Sequence, residues 1–302
     1  MGKILTLGIG CWLLVIGCSA PNKPTDAQLA AHAYDVESWH LKRIDDLKAD
    51  NGWLNLAGLF WLHDGINSFG SDESNDVVFP AGKIAPRAGH FIVSNGVVTQ
   101  FLKEGNAKPN IVFHPDSTRS RKQKLGSLEW FIIRRDDKLG IRLRDLESER
   151  VKSFKGIERY PIEYSWKVQA KFEPAQAGEK INITNVLGQT TAQDLAGRFL
   201  FELDGKEQRL SATNDDGKLF IVFADPTNGQ ETYPAGRFVY ADRPDSTGVG
   251  FIDFNRSYNP PCAFTEFATC PLPPRENALT VAITAGEKNY DPHEKQASPT
   301  LH

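Results

Sequence analysis

Polar and apolar residues alternate with two periods along this chain, and each period predicts a different kind of element. Between residues 35 and 50, apolar side chains recur every three to four positions with charged ones opposite, which predicts a helix that Asn51-Gly52 ends. Farther along, runs with a period of two are separated by turn residues, as in HFIV and VVTQFL around Asn95-Gly96, a typical hairpin signal. The pattern therefore predicts a mainly β fold, an antiparallel sandwich or barrel with one N-terminal helix.

Strands are predicted wherever β-branched and aromatic residues alternate with polar ones between turns. The predicted runs are 90–102 and 128–145 as hairpins, and 162–172, 180–186, 198–203, 208–212, 218–223, 237–241 and 279–284 as single strands. A nearly all-apolar run, WLNLAGLFWL at 53–62, is interpreted as a buried strand pair or core plug, with a ligand-facing aromatic wall as the alternative. No change of composition marks a linker within 35–290, so we predict one β-rich domain over that range.

The N-terminal segment has the pattern of a bacterial lipoprotein signal peptide. After Lys3 the chain is uncharged and mostly apolar over residues 4–16, a stretch too short to cross a bilayer as a helix. The Val-Ile-Gly sequence that precedes Cys18 is similar to a lipobox. We therefore expect a signal peptide over 1–17 and a lipid on Cys18.

These features predict a membrane-anchored lipoprotein of the cell envelope that faces the periplasm or the cell exterior. The residue after the lipidated cysteine is Ser19 and not aspartate, which by similarity to known sorting rules favours the outer membrane. A Pro-rich, polar tether is predicted over 18–34, and a polar, disordered tail over 291–302. The expected partners are the membrane, reached through the lipid, and a small polar ligand.

Charge and motifs exclude several classes of function. The chain holds 35 basic and 38 acidic residues, a balance without the excess of positive charge that a nucleic-acid-binding protein needs, so no nucleic-acid partner is expected. It contains no G-x-S-x-G, H-E-x-x-H or C-x-x-C motif and no phosphate-binding glycine loop. The sequence therefore identifies no catalytic residue and predicts neither a cofactor nor a metal.

Two cysteines, Cys262 and Cys270, lie far from the predicted signal peptide. They are close in sequence, and an oxidising compartment permits a disulfide between them. One alternative is a metal site, which is disfavoured because no histidine lies nearby and zinc takes three or four protein ligands. The other alternative is two separate thiols.

One long segment lacks any strand pattern. Residues 253–277 read DFNRSYNPPCAFTEFATCPLPPREN, and a structureless run of this length inside a compact domain is commonly functional. Within it lie a carboxylate, two amides and a phenol that would suit a polar ligand: Asp253, Asn255, Asn259 and Tyr258. The alternative interpretation is a rigid structural cap over the open end of a barrel, in which Asp and Asn form turns.

The same segment carries a family resemblance. Together with AGEK at 285–288, it resembles the C-terminal signature of the family called domain of unknown function 1684. Further segments agree, namely GWLNLAGLFWLHDG, RLRDLESE, FKGIERYP and DPTNGQETYPAGRF, so the resemblance covers about residues 40–290. It implies no activity, but it implies that the loop is an integral part of the domain. It also places in signature segments Arg144, Asp145, Asp225, Thr232, Tyr233 and Arg237.

Asp225 and Arg237 flank a turn-rich segment between two predicted strands. They are interpreted either as an ion pair across the mouth of a hairpin or as an anion or sugar contact beside the 253–277 loop. Three functions stay open at this point. They are a ligand-binding domain with a polar pocket at that loop, a hydrolase-type enzyme that uses Asp253 or Asp225 as acid or base, and a structural envelope protein without a ligand.

Overall fold

The computed structural model describes residues 23–103, 108–117, 120–135 and 137–290. Strands make up 43% of the chain and helices 15%, with several antiparallel sheets and one N-terminal helix, which confirms the predicted fold class. The predicted signal peptide, Cys18 and the predicted tail lie outside the described residues. No helix in the described part of the chain is both long and apolar enough to span a bilayer.

The N-terminal helix α1, Asp26–Lys48, begins earlier than predicted, so residues 26–34 are helical and do not belong to a tether. Thr25 fixes the start, because its side chain accepts a hydrogen bond from the Gln28 amide while the Gln28 side chain accepts one from the Thr25 amide. The buried residues of the helix include two histidines, His32 and His40. A search for apolar periodicity does not detect buried histidines, which explains the missed first turns.

Nine strands form two sheets in the first half of the chain. Their bounds are β1 Leu56–Trp61, β2 Gly65–Gly70, β3 Val77–Val78, β4 Gly89–Ser94, β5 Val97–Leu102, β6 Asn110–Phe113, β7 Gln123–Leu125, β8 Leu128–Arg135 and β9 Lys138–Asp145. One sheet has the order β1-β9-β8-β7 and the other β3-β2-β4-β5-β6, and only the β2–β3 pair is parallel. The predicted hairpin at Asn95-Gly96 joins β4 to β5, with the positive φ values of 51° and 74° that a type I′ turn requires.

These two sheets face each other across a common aromatic core, as in a sandwich. The ring centroids of Phe69 in β2 and Trp130 in β8 are 6.2 Å apart, and Phe79 contacts both rings at 5.5 and 5.4 Å. The apolar run at 53–62 contributes one strand, β1, which pairs with β9. The run therefore belongs to the sheet and not to a hairpin of its own.

Seven further strands form the third sheet, after the short helix α2, Glu149–Ser153. Their bounds are β10 Lys167–Pro174, β11 Lys180–Thr184, β12 Thr190–Leu203, β13 Lys206–Asp215, β14 Lys218–Phe223, β15 Arg237–Ala241 and β16 Val249–Asp253. The order is β15-β14-β13-β12-β10-β16, with β11 paired to β12. Strand β16 was not predicted, and its last residue, Asp253, was assigned to the long loop.

The third sheet curls until its two edge strands meet. Phe238 of β15 and Tyr258, which follows β16, exchange two backbone hydrogen bonds of 2.9 Å in an antiparallel bridge. Apolar side chains fill the space inside, among them Val168, Phe199, Leu210, Ile221, Val239 and Ile252. We refer to this half of the molecule as the barrel, since its edges are joined and its interior is packed.

The segment 279–284, predicted to be a strand, has irregular structure. Leu279, Val281 and Ile283 are buried in alternation with exposed residues, which produced the strand-like pattern. The backbone of Ile283, however, bonds to two side chains, donating to Asp225 and accepting from Arg237. The prediction is wrong because side chains satisfy the backbone groups that a neighbouring strand would otherwise have to satisfy.

The end of α1 lies where the sandwich and the barrel meet. Leu47 packs there against Leu54, Ile157 and Phe264 in a small core cluster. On the sandwich side, Arg144 of β9 donates a hydrogen bond of 2.6 Å to Asn55. The Leu47 cluster joins the two halves, and the single domain over 35–290 stays a prediction.

Candidate functional site

A cavity of about 300 Å³ lies between α1 and the outer face of the barrel, where β15 and β16 meet. We call it the α1–barrel cavity. Six of its lining residues are charged, namely Asp35, Lys167, Lys218, Asp242, Asp253 and Arg256. Four are aromatic, namely Trp39, Tyr240, Phe251 and Tyr258. The cavity thus combines ring faces with both signs of charge.

The period-two alternation of the strands explains why these side chains face outward. In β15, Val239 and Ala241 are buried in the barrel, so Tyr240 between them faces the cavity. In β16, Ile252 faces the core, and Phe251 and Asp253 on either side of it line the cavity. The alternation that places one set of side chains in the barrel core therefore places the other set in the cavity.

Two tyrosines form the aromatic wall. The rings of Tyr240 and Tyr258 are stacked, with centroids 6.2 Å apart and planes inclined by 10°. Burial, aided by a hydrogen bond to Asp215, raises the pKa of Tyr240 to about 12. Burial also raises the pKa of Tyr258 well above its usual value, with a smaller contribution from Tyr240. Both phenols are therefore neutral at physiological pH.

Arg43 of α1 fixes the helix to the barrel behind Tyr258. Its guanidinium lies 4.6 Å from the centre of the Tyr258 ring, donates to Glu287 at 3.2 Å, and donates to the carbonyl of Asn259 at 2.9 Å. Glu287 is fully buried, and burial raises its pKa against the opposing effect of Arg43. This pairing holds the helix at a fixed position over the cavity.

Asp253 lines the cavity with both carboxylate oxygens already accepting hydrogen bonds. Nε2 of His32, on α1, donates to Oδ2 at 2.8 Å. Oδ1 accepts from the backbone amide and the side-chain amide of Asn255, at 3.2 and 2.8 Å. The Arg256 guanidinium lies 3.8 Å from Oδ2. The carboxylate is therefore held in one orientation by groups from the helix and from the loop.

The remaining charges of the cavity are paired, with one exception. Arg256 forms an ion pair with Asp35, and Lys218 forms one with Asp242 at 3.0 Å. Lys167 forms no ion pair or hydrogen bond through its ammonium with any described residue. Its Nζ lies instead 5.6 and 6.0 Å from the centres of the Phe251 and Tyr164 rings.

The two predicted asparagines are buried away from the cavity and support backbone. The Asn255 side chain accepts from the Glu163 amide at 3.0 Å and donates to the Glu163 carbonyl at 2.9 Å. Asn259 is fully buried and donates to the Lys288 carbonyl at 2.7 Å. The structure therefore brings Asp253 and Tyr258 to the cavity, and it uses the two amides as braces.

Asp225 and Arg237 also lie away from the cavity, in the interior of the barrel. Both side chains are fully buried and form an ion pair of 2.9 Å, so the ion-pair interpretation describes their arrangement. Burial lowers the pKa of Arg237, and the carboxylate of Asp225 opposes that shift. The pair is not accessible to a ligand in this arrangement.

Cys262 and Cys270 form a disulfide, with Cα atoms 6.2 Å apart, as the sequence predicted. The half-buried Cys262 and the buried Cys270 pack in a cluster with Phe238 and Tyr258. The bridge therefore stiffens the loop directly behind the aromatic wall. The later part of the loop, residues 272–276, lines a separate groove beside β11.

Sequence reasoning missed the residues that other elements bring to the cavity. The missed lining residues are Asp35, Trp39, Lys167, Lys218, Tyr240, Asp242 and Phe251. His32 and Arg43, which contact Asp253 and Tyr258, were missed as well. The outward positions of Tyr240 and Phe251 follow from alternation and could have been found once β15 and β16 were recognised. The packing of α1 on the barrel has no local signal. No group of three or more His, Cys, Asp or Glu side chains suited to a metal ion occurs among the described residues.

Comparison with known proteins matches the chain to a family whose activity is not known. A family model described as a protein of unknown function (DUF1684) matches residues 152–288, which contain the whole barrel. The solution NMR structure of an uncharacterized protein from Haloarcula marismortui is similar, with 30% sequence identity over 46% of this chain and 80% of that chain, and a TM-score of 0.39. No curated protein matches the chain.

Proposed function

This chain belongs to the family of proteins of unknown function DUF1684, and from the geometry of its site we propose that it binds a small polar ligand in the α1–barrel cavity. The proposal keeps Asp253 and Tyr258 from the predicted site and replaces the other four candidates by residues of α1, β10, β15 and β16. We further propose that the protein acts as a lipoprotein of the cell envelope, anchored through Cys18, on the strength of its N-terminal sequence pattern.

One observation carries the binding proposal. In this concave site, exposed aromatic rings lie beside charged side chains that are held in place. The exposed fraction is 47% for Phe251 and 37% for Tyr240. Large aromatic side chains are normally buried, and an exposed pair in a cavity gains free energy when a ligand covers it. The surrounding polar groups are already oriented by their protein partners, which lowers the ordering cost of binding.

The hydrogen bonds of the Asp253 carboxylate favour a role in binding over a role in catalysis. A general base needs a carboxylate oxygen within reach of the proton that it removes. Both oxygens of Asp253 already accept hydrogen bonds from His32 and Asn255, and only 14% of the side chain is exposed. Asp253 therefore suits the role of a fixed acceptor.

A hydrolase-type enzyme is the second candidate, favoured by the 2.8 Å contact between His32 and Asp253. A carboxylate–imidazole pair is a common arrangement for proton transfer. Such an enzyme would release a product, and Asp253→Asn would abolish turnover while leaving binding measurable. Asp225 does not suit the same role, because its side chain is buried in the ion pair with Arg237.

Chemical-shift mapping tests the binding proposal. Isotope-labelled protein is titrated with six probes that carry a ring, namely benzoate, phenyl phosphate, benzamide, glucuronate, glucose 6-phosphate and glucose. At least one probe is expected to move the amide resonances of α1, β15 and β16 together. The double variant Tyr240→Ala/Phe251→Ala should lose that response, because both side chains face outward and their removal leaves the barrel core intact.

Tyr34→Ala is the matched control, since this exposed ring also lies on α1 but outside the cavity. It should respond to the probes as the wild type does. If none of the six probes shifts the resonances around the cavity, the binding proposal is wrong.

A further inference from the structure

Lys167 is the one cavity cation without an acidic partner among the described residues. Its position opposite an aspartate makes this unexpected. Lys167 and Asp253 are direct partners in the antiparallel pairing of β10 and β16, and opposite charges at such positions normally attract each other.

The other partners of Asp253 explain why the two do not pair. His32 and Asn255 donate three hydrogen bonds to the two carboxylate oxygens, and Arg256 lies beside Oδ2. The Lys167 ammonium lies instead near two rings, 5.6 Å from the centre of Phe251 and 6.0 Å from the centre of Tyr164. The rings attract the cation, but the ammonium has three N–H donors and the rings offer it no oxygen acceptor.

From this arrangement we infer that the ligand carries an oxyanion, a carboxylate or a phosphate, attached to a ring, and that Lys167 binds the oxyanion while Phe251 contacts the ring. The inference rests on the proposed function and specifies its ligand. An oxyanion on Lys167 places whatever it is attached to beside Phe251, since Nζ lies 5.6 Å from the centre of that ring.

The same charges disfavour a cationic ligand. Asp35 and Asp242 are each paired with a cation of the cavity. Asp253 already accepts hydrogen bonds at both oxygens. A cationic ligand would have to displace one of these partners, whereas an oxyanion at Lys167 would displace no ion-pair partner among the described residues.

The test compares probes that share a ring and differ in the oxyanion. Calorimetric titration of the full chain in detergent micelles compares benzoate and phenyl phosphate with neutral benzamide, and glucuronate and glucose 6-phosphate with neutral glucose. In at least one of the two sets the oxyanion is expected to bind at least about tenfold more tightly than its neutral counterpart. The carboxylate and phosphate members identify which oxyanion is preferred, and the two sets identify which ring.

Lys167→Gln should remove that tenfold preference, so that the oxyanion and its neutral counterpart bind with similar affinity. Lys171→Gln is the control, because Lys171 lies on the same strand, is exposed and pairs with Glu173 outside the cavity. Neutral probes that bind as tightly as the oxyanions, or a Lys167→Gln variant that keeps the preference, would overturn this inference while leaving the binding proposal intact. Failure of all six probes to bind would instead overturn the binding proposal.

Discussion

At the scale of single residues, the Asp225–Arg237 pair organises the end of the barrel. Arg237 donates to the carbonyls of Ile283 and Ala285 at 2.8 and 2.5 Å, and Asp225 accepts from the amide of Ile283 at 3.1 Å. The charges are fully buried, a state that costs free energy unless each partner compensates the other. The pair therefore supports a stretch of chain that has no neighbouring strand.

Replacing Asp225 should destabilise the fold strongly. In Asp225→Asn the Arg237 guanidinium stays buried without a counter-charge, and we expect a loss of about 3–5 kcal/mol in the free energy of unfolding, measured by urea denaturation. Asp242→Asn, which removes an exposed carboxylate, is the control and should change stability by less than about 1 kcal/mol. Equal effects of the two substitutions would contradict this role for the pair.

The two cavity tyrosines predict a loss of stability in alkali. Their folded-state pKa values are raised from 10.0, to about 12 for Tyr240, so the folded protein keeps protons that the unfolded chain releases. The stabilising contribution is therefore complete below pH 10.0 and declines as the pH rises toward about 12. Thermal melts across this range should show a smaller decline in Tyr240→Phe and Tyr258→Phe. Tyr34→Phe, at an exposed position, should retain the decline of the wild type.

At the scale of elements, sequence reasoning works where burial and backbone pairing coincide. The Asn95-Gly96 hairpin was predicted because its turn residues and its apolar alternation give the same answer. Segment 279–284 has the alternation without the pairing, and the prediction is wrong there. The first turns of α1 bury His32 to meet Asp253, a contact more than two hundred positions away in sequence that no local pattern encodes.

In the candidate site, too, some residues can be predicted from local sequence chemistry and others only from long-range contacts. The loop, its disulfide and the cavity residues Asp253 and Tyr258 could be selected from local chemistry. The roles of Asn255 and Asn259 could not, because an amide that braces a distant backbone and one that binds a ligand have the same sequence signature. The role proposed for Lys167 depends on its neighbours Phe251, Tyr164 and Asp253, which the sequence alone does not bring together.

The disulfide should stabilise the loop and the aromatic wall together. Closing a loop with a sequence separation of 8 is expected to contribute about 2.5 kcal/mol to the free energy of unfolding. Cys262→Ala/Cys270→Ala should lose about that amount in denaturant melts. The wild type should show the same loss in the presence of a reductant, and the double variant should not respond to the reductant. A wild type that is equally stable in both conditions would contradict this expectation.

At the scale of the whole molecule, the chain has two cores, one in the sandwich and one in the barrel. The cluster around Leu47 connects them. We expect limited proteolysis to cut before Asp26 and after residue 290 and to leave one fragment. Two stable fragments separated near residue 150, found early in the digestion by mass spectrometry, would contradict the single-domain prediction.

The cavity also depends on where α1 begins. Because the helix starts at Asp26, residues 19–25 would be the entire link to a lipid on Cys18, and they can span at most about 25 Å. A lipid at that position would therefore hold α1, and the cavity that it covers, close to the membrane surface.

Cys18→Ala should abolish labelling by a radioactive fatty acid and release the protein from the membrane fraction, because this cysteine is the predicted site of the lipid. Cys11→Ala is the matched control, since it removes a thiol from the predicted signal peptide and should leave both the labelling and the membrane association unchanged. If the Cys18→Ala protein is labelled as strongly as the wild type, the lipid is elsewhere and the short link between membrane and cavity does not exist. If labelling is lost but the protein stays in the membrane fraction, a contact other than the lipid on Cys18 holds it there, and the lipid is not its only anchor.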